Sequence, residues 1–180
     1  GEPAADRPAA PAPAGAGAVE LPPALPEIWS VRAPLRRRLR YGENPSQAGG
    51  LYGEGDGFPF DLEQLHGKEL SYNNFLDLAC ARDVLGEFAG PHGTARGAGG
   101  NGREGDAALA VVIKHGIPCG VAQAATLAEA YCRARDADAL SAFGGVVGLS
   151  RAVDAETAER LNETFLEVVL APDYQPDAVR

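Results

Sequence analysis

The run ALAVVIK at residues 108–114 places the tightest limit on what this chain can become. It is continuously apolar up to its last residue and dense in β-branched side chains, so it predicts a buried strand rather than a half-exposed one. The segments around it supply layers. FLDLACARDVLGEF predicts an amphipathic helix over 75–88, with Asn73 and Asn74 ahead of it as capping residues. Thr126 predicts a helix N-terminus running to about Arg135, with Glu129 three residues on completing a capping box. AFGGVVGLS reads as a second buried strand, weakened at Gly144 and Gly145 unless a backbone or a ligand comes close. VDAETAERLNETF reads as a helix, and LEVVLAP at 166–172 as a third strand closed by Pro172. Alternating strands and helices predict an α/β layered domain with a mostly parallel sheet.

Two segments do not fit that pattern. Residues 1–26 hold sixteen Ala or Pro and half of the fourteen prolines, which predicts a disordered linker. Residues 90–105 contain seven glycines and nothing larger than Ala or Pro to bury, which predicts a flexible surface loop. The domain is then expected over 27–180. A formal net charge of −9 argues against a nucleic-acid binder that relies on overall positive charge, so recognition of phosphate has to be local. Cys80, Cys119 and Cys132 form no CxxC pair and no even disulfide framework, which suits a reducing cytoplasm. No apolar run has the length of a membrane span, and the first twenty residues lack a signal peptide's basic and apolar regions. The start at Gly1 and the absence of Met suggest a piece of a longer reading frame.

Several constellations could carry chemistry. In VVIKHGIPCGVA the predicted strand ends in Lys114 and His115 and enters a Gly/Pro turn, at the carboxyl edge where open α/β sheets bind ligands. An imidazole exchanges protons near neutral pH and an ammonium stabilises developing negative charge; the plainer alternative is a pair of solvated strand-end residues. His115 with Pro118 and Cys119 mimics a zinc deaminase. The ligands do not complete, because Ile117 stands where a general-base Glu is required and no second Cys follows Cys119. Cys119 alone could be a nucleophile, but small buried thiols are commoner.

LRYGENPSQAGGLY sets Arg40 and Tyr41 before a turn whose amides, with the guanidinium fork, could hold a phosphate; the alternative is an exposed loop with incidental charges. Arg32, Arg36, Arg37 and Arg38 make a basic run without interleaved aromatics, better read as a solvated segment than as an RNA site. Gly97, Gly99 and Gly102 spell GxGxxG, but no strand precedes them and no helix-forming run follows closely. SAFGG pairs Phe143 with two glycines, suited either to a stacked planar ligand or to a bend in the sheet. Glu167, amid apolar neighbours, needs either a partner or a solvated strand face.

Taken in order, LRYGENPSQ, EQLHGKELSYNNFLDL, VIKHGIPCGVA, TLAEAYCRARDADALSAFGGVV and FLEVVLAP resemble the bifunctional purine biosynthesis family that joins 5-aminoimidazole-4-carboxamide ribonucleotide (AICAR) formyltransferase to IMP cyclohydrolase. The resemblance spans roughly residues 39–178 and falls on the first part of the formyltransferase domain; the cyclohydrolase domain, N-terminal in this family, is not represented. It implies a cytidine-deaminase-like α/β fold without zinc. The implied reaction moves a formyl group from 10-formyltetrahydrofolate, a cosubstrate, to the 5-amino group of AICAR, with no metal required.

By the same resemblance, His115 is the proton acceptor and Lys114 stabilises the transition state. Arg40 and Tyr41 bind the nucleotide, with Arg40 near the phosphate, while Asn74, Phe143, Gly144 and Glu167 line the AICAR pocket. The expected partners are AICAR and folate, with a homodimer in the full-length form and neither nucleic acid nor membrane. Two departures stand out: Ser46 replaces the family's usual His in the NPHQ turn, and Ile117 replaces the Asn of KHxNPCG. The expectation is an enzyme fragment inactive alone. A non-catalytic nucleotide-phosphate-binding module is the alternative.

Overall fold

The computed structural model describes residue 28, residues 30–88 and residues 107–179. The Ala/Pro-rich segment 1–26 and the Gly-rich segment 90–105 lie outside the described residues. Contacts divide the chain into residues 1–32 and 33–180, and the second unit carries all the elements described below.

The strand expected over 108–114 forms as β3 (Ala108–Lys114), with Ala108 through Ile113 buried. It lies inside a four-stranded sheet ordered β4-β3-β5-β6, where β4 is Ile117–Ala124, β5 Gly145–Leu149 and β6 Leu166–Leu170. Continuous apolarity follows from cover on both faces. Ala110 and Val112 face one core cluster, and Val111 and Ile113 face another. Each such buried Val or Ile contributes about 1.5–3 kcal/mol.

The sheet is mixed, which corrects the expectation of a mostly parallel one. β3 runs antiparallel to both β4 and β5, and only β5 and β6 are parallel. The cause is local. His115 and Gly116 both have positive φ, 54° and 75°, which is the type I′ backbone that reverses a strand in two residues. A parallel return needs a crossover of a dozen residues or more; the two-residue turn after β3 cannot supply one, whereas the helical connections over 125–144 and 150–165 can. β4 was hidden in the sequence by Pro118 and Gly120. As a sheet edge it tolerates both, with a register shift opposite Val112 and Ile113.

On one face lies α1 (Tyr72–Phe88), packing Phe75, Leu78 and Ala81 against Val111, Ile113 and Val146. The hairpin of β1 (Leu35–Leu39) and β2 (Gly49–Tyr52) adds Leu39 and Leu51 to that cluster. On the other face, α2 (Leu127–Ala137), α3 (Ala139–Ala142) and α4 (Ala155–Asn162) close the second cluster around Tyr131.

α1 starts three residues earlier than its apolar pattern implied. Its cap is Ser71, whose Oγ accepts from the Asn74 amide at 3.3 Å, while Asn74 Oδ1 accepts from the Ser71 amide at 3.0 Å. Asn73 and Asn74 therefore sit inside the first turn. The Thr126 cap forms as expected, accepting from the Glu129 amide at 3.2 Å. The Glu129 carboxylate, however, pairs with Arg133. Among the described residues no helix is long and apolar enough to cross a membrane.

Candidate functional site

The antiparallel pairing brings the end of β3 beside the start of β5, and the parallel pairing adds the start of β6. The site thus lies at the carboxyl end of β3 but the amino ends of β4, β5 and β6, not at a uniform carboxyl edge. Lys114, half-buried, turns across this edge. Its Nζ donates to the Phe143 carbonyl at 2.9 Å and the Gly144 carbonyl at 2.7 Å.

Gly144 has φ +68°, which favours glycine, and a Cβ there would stand 2.9 Å from Lys114 Nζ, so a side chain would also shift the ammonium. The Gly144 amide donates to the Phe165 carbonyl at 2.7 Å. Phe143 and Phe165 are 61% and 59% exposed, with ring centroids 5.5 Å apart. Two large apolar rings left open beside a fixed ammonium form a surface suited to stacking a planar group.

His115 follows directly, exposed at the hairpin tip. Lys114 and His115 therefore differ in setting: one is held against backbone carbonyls, the other stands open. The turn itself is tied to α1, since the Gly116 amide donates to Asp77 Oδ1 at 2.6 Å and Cys80 Sγ donates to the Gly116 carbonyl at 3.5 Å. Burial, with Asp77 and Asp83 nearby, pushes the Cys80 thiol up and keeps it a donor. Burial is also the main cause that raises the Cys119 thiol, which donates to the Val112 carbonyl at 3.4 Å; a protonated, engaged thiol is a poor nucleophile.

A third group reaches the same edge from α1. Asn74 is buried, and its Nδ2 donates to Glu167 Oε2 at 2.8 Å. The carboxylate of Glu167 is thereby partnered on an exposed strand position, which meets both requirements that its sequence context raised. Both ends of the Asn74 amide are engaged by protein groups, Ser71 on one side and Glu167 on the other.

Arg40 and Tyr41 follow β1 and are sewn to the start of α1: the Arg40 amide donates to the Leu70 carbonyl and the Tyr72 amide to the Tyr41 carbonyl, each at 3.1 Å. The Arg40 guanidinium lies 4.7 Å from the Tyr41 ring centroid and donates to the Tyr41 hydroxyl at 2.9 Å. It is exposed, and its charge is preorganised over an aromatic face.

The turn after Tyr41 offers fewer donors than its sequence suggested. The Gly42 and Gln47 amides close it internally, and the Asn44 amide donates to Gln47 Oε1. In the basic run, Arg36 is engaged by the Gly55 carbonyl, Asp56 and the Phe60 ring. Gly97, Gly99 and Gly102 lie outside the described residues.

Of the eight residues singled out in the sequence, Lys114, Phe143 and Gly144 make one contact set, and Asn74 and Glu167 a second. Arg40 and Tyr41 are joined to α1 only through main chain. Sequence reasoning passed over Ser71, Asp77 and Phe165. A polar Asp77 three residues after Asn74 on one helix face was the available signal for the first two; Phe165 carried none.

A sequence profile of the AICARFT/IMPCHase bienzyme family matches residues 16–180. The chain belongs to this family. Among curated relatives, the bifunctional purine biosynthesis protein PurH of Cyanothece sp. is 44% identical over 162 residues, covering 89% of this chain and 28% of the relative. The proteins of the same description from Synechococcus elongatus and Myxococcus xanthus are each 48% identical, covering 78% and 79% of this chain and 25% of each relative. The chain thus spans a little over a quarter of the length of the PurH relatives it matches. The AICARFT/IMPCHase match includes the whole edge at which Lys114, His115, Gly144 and Glu167 gather.

Proposed function

We propose that this chain forms the nucleotide-binding and proton-transfer part of an AICAR formyltransferase acting in purine (IMP) synthesis, in a full-length bifunctional protein that also carries IMP cyclohydrolase activity and assembles as a homodimer. The observation that carries this reading is the Lys114 ammonium, fixed on two carbonyls, in the residue directly before His115 on an exposed tip.

The 5-amino group of AICAR is a weak nucleophile. As its nitrogen bonds to the formyl carbon of 10-formyltetrahydrofolate, His115 takes the amine proton. Lys114 has three N–H donors, two of them committed to Phe143 and Gly144, and the third stabilises the oxyanion of the tetrahedral intermediate. The intermediate collapses with cleavage of the bond between the formyl carbon and N10, which receives a proton as tetrahydrofolate leaves. Arg40 holds the phosphate, Tyr41 supports its guanidinium, Phe143 stacks on the imidazole ring, and Asn74 and Glu167 hold the polar edge of AICAR.

The test uses the complete gene product. His115→Ala is expected to lower kcat for formyl transfer by about 100-fold or more, and undiminished turnover removes the proposed base. A binding-only module is favoured by one feature, the exposed Ile117 at the tip where the family resemblance leads one to expect an amide. Calorimetry with AICAR separates the two, because tight binding without any turnover supports the module.

A further inference from the structure

Resting on that reading, we infer that Asp77 is the positioning residue for His115: it fixes the Lys-His-Gly turn from α1 and so sets where the imidazole stands. His115 occupies the left-handed region at φ 54°, a conformation that a non-glycine residue rarely adopts. Two-residue type I′ turns favour Asn-Gly or Gly-Gly, so a His at the first position has weak intrinsic support.

The support comes from outside the turn. Asp77 Oδ1 accepts from the Gly116 amide at 2.6 Å, a charge-assisted bond, and Cys80, one helical turn on, donates to the Gly116 carbonyl. Residues 115–118 are all exposed, so this anchor seals no core. What it restrains is the one backbone segment that carries the proposed base. The same helix face, through Asn74, holds Glu167, and α1 thereby sets two parts of the site against each other.

Asp77 touches no reacting atom in this assignment, and its effect passes through His115. In the complete gene product, Asp77→Ala is expected to lower kcat by about 10-fold to 100-fold, the cost of a misplaced catalytic group. KM for AICAR should stay within about three-fold, because uniform binding is untouched. Asp77→Asn keeps an acceptor at the same place and should recover most of kcat. Asp77→Glu keeps the charge but moves the acceptor by one methylene, and should recover less.

Hydrogen exchange at the Gly116 amide reads the anchor without any chemistry: exchange should quicken with Ala and stay slow with Asn. In a His115→Ala background, Asp77→Ala should cost nothing further. Wild-type kcat in Asp77→Ala, equal activity of Asn and Glu, or an undiminished second loss in the His115→Ala background each overturns the positioning role alone. Full turnover in His115→Ala by itself overturns the formyl-transfer assignment of that residue and this inference with it.

Discussion

The two faces of the central sheet use their polar side chains differently. On the side of α2, α3 and α4 these groups cap their own helices or tie one helix of that layer to another. Thr126, Asp138 and Asp154 cap α2, α3 and α4, and Arg135 and Arg160 share the Glu163 carboxylate, each at 2.8 Å. On the side of α1 they leave the helix. Asn73 donates to the Glu43 carbonyl, Asn74 to Glu167 and the Gly116 amide to Asp77, across sequence separations of 30, 93 and 39 residues. Both faces have dense apolar cores, so hydrophobic burial does not tell them apart. A helix that directs its polar groups at distant loops is placed to support a site; a layer that directs them at its own helices makes a wall.

This contrast can be broken most sharply at Gly120. A Cβ there would collide with the Ala134 carbonyl oxygen, where β4 and α2 meet. Gly120→Ala is expected to destabilise the fold by about 3 kcal/mol, the upper range for overpacking. Chemical denaturation measures it, and a loss under about 1 kcal/mol would show that the wall yields easily.

Asn74→Ala comes next, removing the acceptor for Ser71 and the donor to Glu167 in one buried position. A loss of about 2 kcal/mol is expected, and the proposed function adds lowered formyl transfer by the complete gene product. A drop in stability with full activity would make Asn74 part of the wall instead.

Gly144→Ala should cost about 1–2 kcal/mol in the left-handed region and push Lys114 Nζ from its carbonyls. On the proposed function, kcat of the complete gene product should fall further than stability alone explains, as read by comparing it with the unfolding midpoint.

The smallest effect belongs to the wall's surface charges. Hydrogen bonds from Arg135 and then Arg160 hold the Glu163 carboxyl below the ordinary range, and the Ser141 hydroxyl and amide do so for Asp138. A depressed folded pKa means that the unfolded chain takes up the proton first. The contribution is therefore present above the ordinary carboxylate pKa and lost as pH falls through the lowered folded values, below about pH 4. Melting curves of wild type and Glu163→Gln from neutral pH downward should converge in acid.

Much of the wall was legible in the sequence because its signals are local. The apolar run of β3, the Thr126 cap and the helix over 155–162 each declare themselves within a dozen residues. The place of Lys114 and His115 at the end of a strand was legible for the same reason. The direction of the sheet was misjudged because Gly116-Ile117-Pro118 reads as a loop, while its meaning as a two-residue hairpin depends on two positive φ angles and a free edge for β4. Asp77 was passed over because its partner is a main-chain amide 39 residues away, which leaves no trace in residue type.

By itself the sequence determined which segments must be buried, where α1 ends and α2 begins, and which family the ordered motifs resemble, since periodicity, capping and motif spacing are properties of neighbours along the chain. Only the tertiary structure decided that Lys114 meets the carbonyls of Phe143 and Gly144, that Asn74 meets Glu167, and that α1 holds the His115 turn. Those contacts depend on strand order and direction, and a hydrogen bond is settled by where two groups arrive in space.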